Sequence, residues 1–285
     1  VARLVKEVDT KVSRRKLVKR GLFGLAGLLT LDALVIEPRL LSVEKIRIPI
    51  QGLDPAFEGF RIVQLSDFHC GPWIDPHFVR DAGKRAMEQK PDILVYTGDF
   101  VEGRQYRIPD LRTELDHLKA PNGVLGVLGN HDGWAGTNEV VREVERAGTL
   151  DLLVNRRVIV ERGGAALAFV GLADLWTGKT DLPTAFKGIP KDVPRILLQH
   201  NPDYANDMEP GQRVDLQLAG HTHGGQVALG GISIFAKVFR YMLGLYEDGD
   251  MRLFVTAGLG HWFPFRLGCP AEVVVIELRR GNAAA

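Results

Sequence analysis

The sequence has little cysteine, with only Cys70 and Cys269 among 285 residues. Two cysteines are too few for a disulfide-stapled scaffold or for a zinc site built from thiolates. A single disulfide between them is compatible with an oxidising compartment, and the sequence leaves that pairing open. Internal repeats and low-complexity stretches are also lacking, apart from the terminal GNAAA. The composition therefore excludes repeat proteins and small disulfide-rich proteins.

A basic surplus is lacking from most of the chain. The first twenty residues hold eight basic and two acidic side chains, a net charge of +6. The rest holds 28 basic and 33 acidic side chains, a net charge of −5. Domains that bind nucleic acid generally carry a basic patch or stripe. The charge distribution thus predicts no nucleic-acid partner, and it separates a basic tail from the body.

The basic tail contains a twin arginine, Arg14-Arg15, ahead of the apolar stretch 21–31. This order resembles a twin-arginine export signal. The stretch ends at Asp32 and is short for a membrane span. It has no evident cleavage site, and the absence of such a site is compatible with an uncleaved anchor. The alternative is a basic amphipathic helix on the cytoplasmic face of the inner membrane. Either reading makes residues 1–42 a membrane-associated segment before a body of residues 43–285.

Apolar runs typical of strands recur along the body. The segment 43–50 has alternating apolar residues. Eight continuous apolar runs follow, at 60–66, 92–98, 123–129, 167–173, 195–200, 215–220, 252–258 and 272–278. Helix-like segments at 75–89 and 136–148 lie between the early runs, as in sheets that are covered by helices. Because the body has no long linker, the sequence predicts one α/β domain.

Polar side chains follow five of these runs directly. Ligands and catalytic groups of α/β proteins gather at the carboxyl ends of strands. The side chains at these positions are Asp67, His69, Asp99, Asn130, His131, Asp132, His200, His221 and His223. Carboxylate oxygens with imidazole nitrogens suit Mn, Fe, Zn or Co better than Ca. About seven candidate ligands are too many for one catalytic ion but match the number that two ions need. Two neighbouring ions can bind the attacking and leaving oxygens of a phosphoryl displacement.

The motifs DFH, GD, GNHD, a lone His and GHTH, from Asp67 to His223, resemble those of calcineurin-like metallophosphoesterases. The resemblance implies a four-layer α/β/β/α sandwich of two mixed sheets flanked by helices. It also implies two divalent ions, for which manganese is favoured and iron, zinc, cobalt and magnesium stay open. One ion would bind Asp67, His69, Asp99 and His223. The other would bind Asp99, Asn130, His200 and His221, with one oxygen of Asp99 on each ion.

The resemblance also assigns roles beyond the metal ligands. His131 is expected to face the phosphate and to donate a proton to the leaving group. Asp132 is expected to orient the His131 ring, or alternatively to cap a helix or turn. His261 and Arg266 follow the run 252–258 and are expected to contact substrate, with a surface ion pair as the alternative for Arg266.

The expected activity is phosphodiester hydrolysis, with a metal-bound hydroxide attacking phosphorus in line. The resemblance to the bacterial exported or membrane-associated branch favours a small or lipid-linked substrate at a membrane or envelope. The alternative is the pyrophosphate of UDP-2,3-diacylglucosamine in lipid A synthesis, which requires the cytoplasmic side. A nuclease is disfavoured by the acidic body, and a non-catalytic binding module by the complete ligand set.

The segment 232–246 is unusually apolar for a connection and also contains Lys237 and Arg240. This composition is typical of segments that dip between lipid headgroups, which predicts a membrane-facing surface beside the site. The alternative is that the segment completes the core beneath the second sheet. A monomer is favoured, and the sequence leaves the oligomeric state open.

Overall fold

The structure is a computed structural model that describes most of the chain. The described residues are 14–103, 115, 117–209, 211–230, 232–238, 240–249, 251–261 and 263–281. Residues 1–13 of the basic tail lie outside this part of the chain, as does Phe239 of the predicted membrane-facing segment.

The described chain begins with a continuous helical segment, Arg14–Arg39, which we call the N-terminal helix. It consists of α1 (Arg14–Leu31), a π-helical turn (Asp32–Ile36) and a 3₁₀ turn (Glu37–Arg39). By length and composition the segment is able to cross a membrane. The helical segment is thus longer than the apolar stretch 21–31 indicated. Residues of α1 are not buried, whereas the two turns that follow contribute buried residues.

The first sheet contains six strands: β1 (Leu41–Gln51), β2 (Arg61–Leu65), β3 (Ile93–Thr97), β4 (Val124–Val127), β5 (Leu150–Leu152) and β14 (Ala271–Gly281). Their order in the sheet is β1-β14-β2-β3-β4-β5. β14 is parallel to β1 and antiparallel to β2, where Ile276 pairs with Ile62. The strands from β2 to β5 are parallel, so their carboxyl ends share one edge.

The second sheet also contains six strands: β6 (Arg156–Arg162), β7 (Ala165–Gly171), β8 (Arg195–Leu198), β9 (Leu216–Ala219), β12 (Gly244–Asp248) and β13 (Met251–Val255). Their order is β12-β13-β9-β8-β7-β6, and only the two outer pairs are antiparallel. A short antiparallel pair, β10 (Ala228–Leu229) and β11 (Ile232–Ser233), follows the turn after β9.

Three described helices cover the sheets: α2 (Pro76–Glu88), α3 (Asn130–Ala147) and α4 (Leu182–Phe186). The Asp75 side chain caps α2 by accepting from the His77 N–H at 2.9 Å, and Pro76 fits the first helical turn. α3 begins six residues before the predicted segment 136–148. It bends at Gly136, whose φ of 122° is open to glycine.

The apolar residues form layers because neighbours along a strand point to opposite faces. Ile62 packs between the two sheets, whereas Val63 packs under α2 and α3. Phe60 and Phe169 connect the sheets, with ring centroids 6.5 Å apart. α4 packs on the outer face of the second sheet. The predicted fold of two mixed sheets flanked by helices is therefore confirmed.

The sequence left two points open: whether the two cysteines pair, and whether the segment 232–246 is buried. Cys70 and Cys269 are both buried, and they are not joined in a disulfide. The segment 232–246 divides into two parts. Ile232, Ile234 and Val238 are exposed, so the first part does not complete the core. In the second part, Tyr241 and Met242 are buried, and Tyr241 packs beneath the second sheet, as the alternative reading required.

Candidate metal centre

The side chains predicted to bind metal come together where strands of both sheets end. The chain reaches this edge after β2, β3 and β4 of the first sheet, and after β8 and β9 of the second. The first sheet supplies Asp67, His69, Asp99 and Asn130, and the second supplies His200, His221 and His223. Because parallel strands deliver their ends to one edge, residues far apart in sequence become neighbours.

Five of these seven residues have left-handed backbone conformations. Their φ angles lie between 46° and 73°, in Asp67, His69, Asp99, His221 and His223. Such conformations cost about 1–3 kcal/mol each and persist where surrounding contacts hold them. The Asp67 N–H donates to Gly98 O at 2.9 Å, and the His69 N–H donates to Asp99 O at 3.0 Å. This concentration of unusual backbone is typical of a functional site.

We call Asp67, His69 and His223 the first donor group; their ligand atoms lie within 4.8 Å of one another. His223 Nδ1 donates to the Gly260 carbonyl at 2.9 Å, so its Nε2 carries a lone pair. His69 Nδ1 lies 2.7 Å from Glu102 Oε2, which favours the same tautomer. The two Nε2 atoms are only 2.9 Å apart. This separation is that of an N–H···N hydrogen bond, and a cation bound to both Nε2 atoms would take the place of its proton.

The second donor group consists of Asp99, Asn130, His200 and His221. His200 Nδ1 donates to Thr97 O at 2.7 Å, so Nε2 is the ring atom that would bind a metal ion after losing its proton. This atom lies 3.1 Å from Asp99 Oδ2 and 3.2 Å from Asn130 Oδ1. Three potential ligand atoms therefore lie close together. Carboxylate, amide and imidazole donors without cysteine fit a divalent ion such as manganese, iron, zinc or cobalt.

Asp99 connects the two groups, but not as the resemblance implied. Its Oδ1 accepts a hydrogen bond from the His131 N–H at 2.9 Å. Its Oδ2 lies near His200 Nε2 and also 3.6 Å from His69 Nε2. One oxygen, rather than one on each side, thus faces both donor groups.

Burial and charge prepare the imidazoles for metal binding. Burial, with the charge of His200, lowers the pKa of His221 to about 3, and burial also lowers the pKa of His223. Both rings are neutral at pH 7, as metal ligands must be. Burial opposes the charged form of His200, but Asp99 outweighs it and raises the His200 pKa to about 10. A metal ion bound at the second group would therefore take the place of the proton of His200.

Glycine is required at two positions because the backbone passes close to the carboxylates. A Cβ on Gly129 would overlap Asp99 Oδ1, and a Cβ on Gly220 would overlap Asp67 Oδ2. Asp67 Oδ2 is itself buried without a hydrogen-bond partner among the described residues. An unpaired buried carboxylate oxygen is costly, which again fits a cation beside it.

His131 lies at the wall of a cavity of about 390 Å³ next to the donor groups. Its side chain is 17% exposed, and its ring centroid lies 4.6 Å from that of His69. Trp134 and Trp176 line the same cavity, with ring centroids 6.4 Å apart. Burial lowers the pKa of His131, and Asp99 acts in the opposite direction. The ring is placed to exchange a proton with a molecule in the cavity.

The prediction that Asp132 orients the His131 ring is wrong. One carboxylate oxygen accepts from the N–H groups of Phe100 and Val101, at 2.8 and 3.2 Å. The other accepts from the Gly129 N–H at 2.9 Å. Asp132 therefore caps α3 and fixes the loop after β3, as the alternative reading held.

The prediction that Arg266 contacts substrate is also wrong. Its side chain is fully buried, and its guanidinium donates to the carbonyls of Ala257, Gly258, Gly260 and Cys269. His261 is buried as well, and burial lowers its pKa to about 4. Its role toward substrate stays a prediction.

Glu102 is a site residue that the sequence reasoning missed. Its Oε2 lies 2.7 Å from His69 Nδ1 and 3.8 Å from His131 Nδ1. The three side chains form a further cluster of potential ligands. The signal in the sequence is its position three residues after Asp99 in GDFVEG. That spacing alone does not reveal which histidines the carboxylate meets.

Comparison with protein families identifies the arrangement. The model of the calcineurin-like phosphoesterase domain matches residues 60–225, more than half of the chain. The chain belongs to the calcineurin-like phosphoesterase family. The match spans both donor groups and His131, and it confirms the resemblance read from the motifs. This calcineurin-like phosphoesterase is accordingly a metal-dependent hydrolase of phosphoric esters.

Three curated relatives match this chain over most of their own length. The uncharacterized metallophosphoesterase YkuE of Bacillus subtilis is 32% identical over 292 residues, which is 95% of this chain and 99% of the relative. Phosphodiesterase YaeI of Escherichia coli is 31% identical, over 77% of this chain and 82% of the relative. UDP-2,3-diacylglucosamine pyrophosphatase LpxG of Chlamydia trachomatis is 27% identical, over 85% of this chain and 90% of the relative.

Proposed function

We propose that this phosphoesterase is a dinuclear phosphodiesterase that acts on a substrate at a membrane. The observation that carries the proposal is the pair of donor groups sharing Asp99 Oδ2 beside the cavity. Bound there, two divalent ions would polarise the phosphoryl oxygens and activate water. Manganese is our proposed metal, because the donors mix carboxylate oxygen with imidazole nitrogen.

The residues of the chain would supply the remaining chemistry. Asp67, His69 and His223 would hold one ion, and Asn130, His200 and His221 the other, with Asp99 facing both. His131, at the cavity wall, would donate a proton to the oxygen of the leaving group. Glu102 faces His131 Nδ1, so it would favour the tautomer and the ring orientation needed for that transfer. The tryptophans of the cavity would bind one substituent of the diester.

Metal removal gives the direct test. Protein treated with a chelator is expected to lose hydrolysis of bis(p-nitrophenyl) phosphate and to regain it when Mn²⁺ is added back. The regain should saturate at two ions per chain, as measured by elemental analysis after desalting. Zn²⁺, Fe²⁺, Co²⁺ and Mg²⁺ are added separately, so that the activity regained with each metal can be compared. Full activity at one ion per chain would contradict the dinuclear proposal.

A lipid-bearing substrate is supported by the apolar surface next to the cavity. Phe235 lines the cavity, and Ile234 and Val238 beside it are exposed. Gln226 Nε2 donates to Phe265 O at 2.6 Å, and the Arg266 N–H donates to Ala33 O at 2.9 Å. These bonds connect the turn behind Phe235 to the N-terminal helix. We infer that the cavity opens near the bilayer into which that helix would insert.

The double variant Ile234→Ser/Val238→Ser tests this inference without altering the cavity wall. Full burial of each apolar side chain is worth about 1.5–3 kcal/mol, so we expect at least a tenfold rise in KM for a lipid diester in vesicles. Turnover of a soluble diester should be unchanged. The control Ile159→Ser removes an exposed apolar side chain from β6. Equal losses on both substrates, with a lower melting temperature, would assign the segment to the core.

Two locations remain to be separated, and they favour different substrates. We propose export by the twin-arginine route, which is supported by Arg14-Arg15 at the start of the described helix. Attachment to the cytoplasmic face would favour a UDP-linked lipid precursor, the substrate class named for the chlamydial relative.

Replacing both arginines by lysine keeps the charge and distinguishes the two locations. Export by a twin-arginine receptor should fail, so the signal of a reporter active only outside the cytoplasm should fall to background. Membrane attachment by charge should persist. A reporter signal that is unchanged, or absent already in the wild type, would favour the cytoplasmic face.

A further inference from the structure

The end of the N-terminal helix packs into the catalytic body instead of leading to it as a free tether. Glu37 is buried, and both of its carboxylate oxygens accept hydrogen bonds from the backbone. Oε2 accepts from the Gly268 N–H at 2.7 Å, and Oε1 accepts from the Cys269 N–H. One turn earlier, Ala33 O accepts from the Arg266 N–H at 2.9 Å. The helix end thus accepts hydrogen bonds from three backbone N–H groups of the loop 266–269.

The same loop supports a ligand of the first donor group. Arg266 donates through Nη1 to Cys269 O at 2.8 Å and through Nη2 to Gly260 O at 2.5 Å. Gly260 O is also the acceptor of the hydrogen bond from His223 Nδ1. In addition, Cys269 Sγ lies 3.5 Å from His223 O. Continuous contacts therefore run from Glu37 through this loop to His223.

The hydrogen bond on Nδ1 decides how His223 presents Nε2. It fixes the tautomer and the ring orientation, and partners of this kind typically change metal affinity 10–100-fold when they are removed. The carbonyl that accepts this bond is held by Arg266, and the backbone around Arg266 is held by Glu37 and Ala33. Loss of Glu37 would leave the N–H groups of Gly268 and Cys269 without their acceptor and release the loop.

We propose that Glu37 is a positioning residue for His223, which makes the N-terminal helix a structural part of the metal centre. The proposal rests on the two-ion function proposed above. It means that the N-terminal helix and the first donor group are held in one fixed geometry. Detaching the helix end would weaken one of the two ions, while the second donor group, which does not contact the loop 266–269 through any described bond, would keep its ion.

The test is a titration of the metal-free full chain in detergent with Mn²⁺ alone, read by calorimetry. For Glu37→Gln we expect one ion to bind about 10–100-fold more weakly and the other to bind as in the wild type. The control Asp215→Asn alters another buried carboxylate, which accepts from the Arg195 N–H far from the donor groups. It should lower the melting temperature and leave both affinities unchanged.

A double-mutant cycle separates positioning from a general effect on stability. In a His223→Ala background, Glu37→Gln should cause no further loss of affinity, because the residue it positions is absent. If Glu37→Gln does not fold, Glu37→Asp is titrated in its place with the same expectation. Wild-type affinity for both ions in the folded variant would overturn the proposal. A wild-type chain that binds fewer than two ions would instead contradict the two-ion function.

Discussion

Replacing Asp99 by asparagine is expected to abolish turnover and to lower metal occupancy in both donor groups. Its Oδ2 lies 3.1 Å from His200 Nε2 and 3.6 Å from His69 Nε2, so one atom serves both groups. Asparagine removes the negative charge and presents an amide that cannot bridge two cations. Because both of the proposed cations would depend on that charge, this substitution should have the largest effect of any single change.

Elemental analysis of the desalted variant, with activity on a soluble diester, measures the effect. Asp203→Asn is the matched control, because Asp203 lines the same cavity and belongs to neither donor group. It should retain two ions and most of its activity. Retention of both ions by Asp99→Asn would refute the shared-oxygen arrangement.

His131→Gln is expected to keep both ions and to lower kcat by about 10²–10⁴-fold, the usual contribution of a general acid. The His131 ring lies at the cavity wall, and the hydrogen bond to Asp99 comes from the backbone N–H of His131. The loss should be smaller for a nitrophenyl ester than for an alkyl ester, because nitrophenolate leaves without a proton. A comparison of kcat for the two esters, with metal content, measures this.

Glu102→Gln complements that experiment. It keeps the shape of the side chain that faces His131 and His69, but removes the charge. We expect a smaller loss of kcat than in His131→Gln. Should His131→Gln lose metal as severely as Asp99→Asn, the separation between ligand and proton donor would be wrong.

Much of the fold could be predicted because its central strands are buried on both faces. All nine predicted strands are present, among them β3, in which every residue is buried. The missed strands lie at sheet edges and carry weaker patterns. β5 has three residues, and β6, with the sequence RRVIVER, is mostly exposed or half-buried. The start of α3 was missed because Gly133 and Gly136 resemble a break in a helix.

The grouping of the candidate metal ligands could be predicted because these residues directly follow the ends of strands. The roles of the neighbouring residues could not be predicted, because adjacency in sequence does not fix the direction in which a side chain points. Asp132 is next to His131, yet it points back to the start of its own helix. Arg266 carries a charge that usually lies at the surface, but carbonyl groups surround it in the interior. Glu102 depends on a loop conformation that the pattern does not encode.

The position of β14 in the first sheet has a consequence for biosynthesis. This strand lies between β1 and β2, although more than two hundred residues separate it from them. The ribosome therefore releases the N-terminal helix and both partner strands long before the strand that joins them. Until then β1 and β2 expose unpaired backbone, and the loop that Glu37 binds does not exist. Pairing over such separations is slow, and open strand edges invite aggregation. The first sheet of the catalytic body would thus be completed only after β14 has been synthesised.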